Sequence, residues 1–589
     1  MRGWTTLAIL ASLLCPRTAD AQERFALQLF HFNVQYVCGG TLGFVTNPNP
    51  VLDLDNDALE DRIITESFEP VIDLFAKHPT WGVDLEMQAY MLDVIAWRHP
   101  ELLEKMRSLA QSGQIDILSF HYSDQLFIGY PQLAWERSQA LTEEVFARHG
   151  IPLSRTVFCQ EGQSAAAMAD HFASRGYRTM VWPKNLWSFQ HGDFEAEPLY
   201  HFGDGLMVAG AKGIDYDQGG TQIEVSWTFF DDGELLATGD FDPYFPEFFW
   251  EDEEAVAAYE AKLENLESQG YRIATVDQYV TAVEQLVTPT DPPPLLDGTW
   301  QPGSTVGVKR WLGGAGLWRH QERDNHVRTL GAIAHRELVA AETMAAAAGL
   351  DASAELDAAW RLLFLGQVTD ATGINPFRGE IQYGIAHMAE ATRIAREVII
   401  DGKQTLSLST ALIDPAAGTV TEGEGPWLTG APAKAPLVIE IDGGDRAVSE
   451  QWEAIGEGHW RVAVTFGPGD PSVVSVRFPG ELEDGLALSL ALADDSLRTL
   501  SRSAFDFESF HLALPTGAIG LGGGRFVVKD LGRVHLAAEI WRDDGDVLFQ
   551  DETAALEETH TWVFHVLDGT AAQAAQLARD LNVERRLAR

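Results

Sequence analysis

The strongest constraint on the fold is an alternation of short apolar runs with amphipathic segments that fills residues 24–287. FALQLFHF precedes DALEDRIITESFEPVIDLFAKHP, WGVDLEMQAY precedes PELLEKMRSLAQSGQ, and IDILSFHY precedes AWERSQALTEEVFARHG. SRTVFCQ, QSAAAMADHFASRG and YRTMVWP continue the order, and QIEVSWTFF, EEAVAAYEAKLENLESQG and YRIATVDQYV close it. Strand-like and helix-like segments in strict succession with short connections require parallel strands joined by right-handed crossovers. About seven such units over this length predict a (β/α)7-type barrel spanning residues 22–287, near the usual barrel scale.

Beyond residue 287 the chain changes character twice. TPTDPPPLLDG, residues 288–298, has three consecutive prolines and reads as a stiff linker. Residues 299–402 carry Ala-rich helical runs such as HRELVAAETMAAAAG, which predict a helical domain. From 403 to 589, short alternating runs such as HWRVAVTF and SVVSVRF are separated by Gly, Pro and Asp turns, as in an antiparallel β-sandwich. The final AAQAAQLARDLNVERRLA is expected to be a capping helix. The fold class is therefore multidomain α/β.

The first 21 residues read as a leader rather than as structure. Arg2 precedes the apolar run WTTLAILASLLC, which is too short to span a bilayer, and Ala19 and Ala21 form an A-x-A cleavage site. Leu14 is too large for the small residue a lipidation signal wants before Cys15. Export to the periplasm or medium, with Gln22 as the mature start, is the expectation. The leader carries Arg2, Arg17 and Asp20, net +1, so its removal takes the net charge from -45 to -46. A field of that sign repels nucleic acid and anionic lipid, so neither nucleic acid nor membrane is expected as a partner, and it favours a neutral substrate. Only Cys38 and Cys159 remain after cleavage, too few for a disulfide scaffold, though they are free to pair in an oxidising compartment.

In parallel βα architectures the functional side chains stand at the carboxyl ends of strands. Those positions hold His31, Asn33 and Gln35, then Glu86 and Gln88, then His121, Tyr122 and Asp124. Gln160 and Glu161 follow the fourth run, Trp182 and Lys184 the fifth, and Asp231, Asp232, Asp240 and Asp242 the late one. Each has an ordinary alternative: Glu161 complements a helix dipole, and the Asp–Gly pairs are common turn chemistry. Together they make a carboxylate-rich pocket with imidazoles and amides, which suits glycoside cleavage by a nucleophile and a proton donor.

These residues resemble the family-57 glycoside hydrolases, and more distantly the family-38 mannosidases and polysaccharide deacetylases on a related barrel. FHFNVQ is similar to the HxHQP-like first motif, with Asn33 where the second His stands, and GQIDILSFHYSDQL resembles the second. TVFCQEGQSAAAMADHFASRGYRTMVW resembles the motif that carries the nucleophile, so the resemblance makes Glu161 the nucleophile of a retaining enzyme. The segment before ATVDQYV implies Asp232 or Asp240 as acid/base, with the two carboxyl groups about 5–5.5 Å apart. GVKRWLGG with Trp311, and QVTDATGINPFRGEIQYG with Asp370, resemble segments that fold over the barrel mouth. His31, Asn33, His121, Tyr122, Asp124, Trp182, Trp311 and Asp370 are the expected substrate-binding residues.

No metal or cofactor is expected. Asn33 stands where family-38 enzymes place a zinc-binding Asp, and no H-x3-H pair accompanies the barrel strands. The glycine run GLGGGRF leads into a strand, not a phosphate-binding helix. The expected function is an exported hydrolase or transglycosidase acting on neutral oligo- or polysaccharide. A metal-dependent carbohydrate deacetylase and a non-catalytic carbohydrate-binding protein stay open as alternatives.

Overall fold

The computed structural model describes residues 22–35, 38, 56–166, 168–191, 196–211, 213–233, 253–295, 298–299, 312, 324–369, 371, 378–423, 428–469, 472–480, 485–490, 497–501, 512–514, 516–540, 545–551 and 559–589. The leader therefore lies outside them.

Strand β1, Gln22–Phe32, organises the first domain. It pairs in parallel with β9, Thr221–Asp232, along one edge. Its other edge carries β10, Arg272–Ala274, and then β2, Val83–Met87. A strand covered on both faces reads as a continuous apolar run, which is why FALQLF shows no polar alternation. Phe25, Leu27 and Leu29 face one apolar core, while Ala26, Phe30 and Phe32 face another shared with the surrounding helices. The buried amide of Gln28 donates to the carbonyls of Gly82 and Ala274, at the point where the partner of β1 changes from β10 to β2.

The remaining strands close the layer. β3, Ile115–Leu118, pairs in parallel with β2. A second sheet carries β4, Thr156–Val157, β5, Thr179–Trp182, and β7, Gly205–Ala209, all parallel. Between the two sheets no ladder is formed among the described residues, so the expected continuous barrel is divided. Two strands run against expectation: β6, Tyr200–Phe202, is antiparallel to β7, and β8, Gly213–Gln218, is antiparallel to β9. Gly203, Gly219 and Gly220 adopt positive φ at the two turns, the conformation these hairpins need. YRIATVDQYV divides into β10 and the helix Val276–Val283, which Thr275 and Gln278 start with a capping box.

Three helices, Asp324–Ala348, Ser353–Gly366 and Arg378–Thr405, follow the linker. The C-terminal region is an antiparallel sandwich of an eight-stranded and a five-stranded sheet among the described residues, with Val462, Val464, Phe466, Phe549 and Phe564 in its core. The last segment departs from the expected helix. After Ala571–Arg579 and a turn it becomes a strand, Arg586–Ala588, hydrogen-bonded to Ala411–Asp414. That pairing tucks Ala588 into the core shared by the barrel and the helices.

The domains are braced against one another near β3. Buried Arg328 donates to the carbonyls of Gln367, Val368 and Thr369 and to the Tyr130 hydroxyl. His535 of the sandwich sits 2.8 Å from the Gly129 carbonyl and stacks on Tyr130 at 5.4 Å.

Candidate active site

The face of β1 that carries Phe25, Leu27 and Leu29 ends in His31. In register beside it stand Glu86 on β2 and Asp232 on β9. Residues paired across parallel strands point to the same side, so the topology alone gathers an imidazole and two carboxylates at one end of the sheet. β3 adds His121 and Asp124 from the loop that follows it.

The buried groups form a network. His31 Nδ1 hydrogen-bonds to Glu86 Oε2, and His31 Nε2 lies 3.9 Å from Asp124 Oδ2. His121 sits between the same carboxylates, 3.0 Å from Glu86 Oε1 and 3.6 Å from Asp124 Oδ1. Gln88 donates to Asp124 and to Asn33, both at 2.7 Å, and Asn33 also accepts from the Gln35 backbone. Burial disfavours the charged form of His31, but Glu86, Asp124 and Asp232 outweigh it and hold the imidazole protonated well above its usual range. Burial would raise Glu86, yet His31 and His121 bring it below the usual carboxylate range. Asp124 is pushed up to about 6, because burial and Glu86 together exceed the pull of the two histidines.

In front of this network is a cavity of about 310 Å³ lined by His31, Glu161, Lys184, Asn185 and Asp232, with Phe158 and Phe230 as an apolar wall. Glu161 enters from the turn after β4. Its backbone is left-handed, φ 56 and ψ 23, inside the short helical turn Gln160–Gly162. A non-glycine residue there is costly unless its surroundings enforce it. Two features do. The Thr299 hydroxyl donates to the Glu161 carbonyl, and Gly162 has φ 56 with its α-carbon facing Asn185, where a Cβ would lie 2.3 Å from Oδ1.

The expected residues thus separate into groups. His31, Glu161 and Asp232 meet in the cavity. Asn33, His121 and Asp124 are buried in the network behind it. Trp182 corrects the expectation of a sugar-facing ring: it is fully buried and packs edge-on to Phe202, since the strand-end position points it into the core. Tyr122 is also buried, against Tyr90 and under the Arg361 guanidinium, away from the cavity. Asp240, Trp311 and Asp370 lie outside the described residues. Glu86 and Lys184 stood at strand ends without being singled out, and Asn185 and Ser188 were missed because nothing in KNLWS marks them. Cys38 and Cys159 are both buried, and no disulfide joins them.

No family model matches the chain. The chain has the fold of an alpha-mannosidase. That enzyme, from Enterococcus faecalis, superposes with a TM-score of 0.61 over 96% of this chain and 90% of its own, at 10% identity. A GH57-type branching enzyme from Pyrococcus horikoshii aligns over 64% of this chain and 88% of its own, with a TM-score of 0.42 and 11% identity. In sequence, 63 residues are 32% identical to Alpha-amylase 1 of Dictyoglomus thermophilum, a stretch that covers 11% of this chain and 9% of that relative. At these identities the likeness is one of fold, and the chemistry has to be argued from the residues in the cavity.

Proposed function

We propose that the protein is a glycoside hydrolase or transglycosidase acting on neutral oligo- or polysaccharide with retention of configuration. Glu161 attacks the anomeric carbon, and Asp232 protonates the departing oxygen. Asp232 then takes the proton from water or an acceptor hydroxyl as the glycosyl–Glu161 bond breaks. His31, kept protonated by its carboxylate neighbours, donates through its remaining N–H to a sugar hydroxyl, and Lys184 and Asn185 hold others. The observation that carries this reading is Glu161 itself, a carboxylate held on a strained turn and directed into a cavity that also contains Asp232. Strain of that kind is found at functional sites, catalytic and ligand-clamping alike. The alpha-mannosidase and amylase likenesses are in keeping with it. The leader, with cleavage after Ala21, would place the enzyme in the periplasm or medium, where polymeric sugars are found.

The test is a screen of aryl glycosides and neutral polysaccharides with wild type, Glu161→Gln and Asp232→Asn. Glu161→Gln should remove turnover of every substrate. Asp232→Asn should spare kcat/KM for substrates with good leaving groups, whose first step needs no protonation, while kcat falls as hydrolysis of the glycosyl–Glu161 bond loses its base. Full activity in Glu161→Gln excludes the mechanism.

One observation favours a second reading, a metal-dependent carbohydrate deacetylase. Ligand atoms of His31, Glu86 and Asp124 lie within 4.8 Å of one another, the convergence a single cation needs. Metal analysis of the purified protein and release of acetate from acetylated glycans separate the two.

A further inference from the structure

A second charged feature shares no lining residue with this cavity. A hollow of about 610 Å³ opens where the helical domain, the sandwich and the closing strand meet. Eight of its lining residues are Lys or Arg, and two, Glu337 and Asp530, are acidic. In a chain of net charge -45 with only 42 Lys and Arg, such a concentration opposes the overall balance.

The acidic partners neutralise it only in part: besides the two in the lining, Glu453 pairs with Arg461, and Asp414 and Asp580 pair with Arg585. Glu337 uses one carboxylate oxygen for both Arg396, at 3.2 Å, and Arg586, at 2.6 Å, while its buried Oε2 has no hydrogen-bond partner. Asp530 receives Arg336 at 3.4 Å. Lys403 and Arg533 also line the hollow, and neither has an ion pair among the described residues. Like charges brought together in a concave site raise the local potential, and guanidinium forks match oxyanion geometry. Among the described residues the lining has aliphatic groups such as Ile399 and Leu581 and the imidazole of His565, but no Phe, Tyr or Trp to offer a broad ring to a nucleobase or sugar face. The eight cations direct recognition mainly to the anionic groups of a ligand. The acidic remainder of the surface repels long polyanions and leaves a small, densely charged one as the fitting ligand.

We propose that this hollow is a binding site for a small multivalent oxyanion, a compound carrying several phosphate or sulfate groups, which ties the helical domain to the sandwich. The site is independent of the glycosidase reading. Bound anion would replace repulsion among the cations with shared hydrogen bonds and stabilise the folded chain by mass action.

Calorimetric titration of the full chain with inorganic tripolyphosphate and with sucrose octasulfate tests this, at about 50 and about 200 mM NaCl. The double variant Lys403→Gln/Arg533→Gln removes two cations without breaking an ion pair among the described residues. Arg393→Gln, on the exposed side of the same helix and paired with Glu390 and Glu397, is the control. At least one probe should bind one to one, more weakly at the higher salt. The double variant should bind at least about tenfold more weakly and the control unchanged. Wild-type Tm should rise with the probe, while the double variant without probe should melt at or above wild type. Preference for one probe identifies phosphate or sulfate, and equal binding assigns recognition to charge alone. Absence of binding by both probes, or equal affinity in the double variant and wild type, overturns the proposal.

Discussion

Replacing Glu161 by glycine should make the fold more stable while removing activity. Its φ of 56 and ψ of 23 place it in the left-handed region. That conformation costs a residue with a Cβ about 1–2 kcal/mol. Glycine removes the cost but adds freedom to the unfolded chain, which returns about 0.4–1 kcal/mol. Glu161→Gly is therefore expected to stabilise by about 0.5–1 kcal/mol net. Glu161→Asn should gain part of this, since Asn tolerates the region, and Glu161→Gln should stay within about 0.5 kcal/mol of wild type. The turn itself should persist, because the Thr299 hydroxyl and the Gln163 amide bond to backbone carbonyls that no side-chain change alters. Urea unfolding of the four proteins gives the comparison, read as a shift in midpoint at constant slope. Turnover should be lost in all three variants. If Glu161→Gly is less stable than Glu161→Gln by about 1 kcal/mol or more, the side chain props the turn and the strain argument fails.

Three further outcomes rest on neighbouring geometry. Gly162→Ala must accommodate φ 56 and a Cβ 2.3 Å from Asn185 Oδ1, so it should cost at least about 2 kcal/mol in urea unfolding and lower kcat, since Asn185 lines the cavity. Asp84 and Asp116 face each other across β2 and β3; burial and its charged neighbour raise Asp84 well above its usual range, and burial pushes Asp116 up to about 6. Because the folded chain holds those protons more tightly, stability should fall as pH rises from about 4 through about 6; Asp84→Asn should flatten that profile and gain at least about 1 kcal/mol at pH 7, and a steeper profile would contradict it. Burial also lowers Lys529 to about 7, so the unfolded chain binds the extra proton and stability should decline as pH falls from about 10 to 7. Lys529→Met should remove most of that slope and stabilise by about 1–3 kcal/mol at neutral pH, less what is lost when the Leu536 carbonyl loses its donor.

The parts of the molecule that could be read in advance are those where one local rule decides the outcome. The apolar run of β1 signals a strand covered on both faces, and the strand-end rule locates His31, Glu86, Asp124, Glu161 and Asp232 before any geometry is known. The same rule fails for Trp182, because a position at a strand end does not say whether an aromatic ring turns into the cavity or the core. The antiparallel hairpins left a signal in Gly203, Gly219 and Gly220 beside aspartates, but it was outweighed by the βα alternation on either side. The cationic hollow could not be read at all. Arg336, Arg461, Arg533 and Arg586 are far apart in sequence, and each looks like an ordinary solvated charge until the helices, the sandwich and the closing strand bring them together. The net charge of -45 pointed the other way, towards uncharged ligands throughout. Both statements hold at their own distances. Beyond a Debye length of about 8 Å an approaching anion meets mainly the acidic surface, whereas inside the hollow the nearest charges are guanidinium groups a few ångströms away. The sum of charges therefore governs which molecules come near, and the arrangement of a few side chains governs which of them is kept.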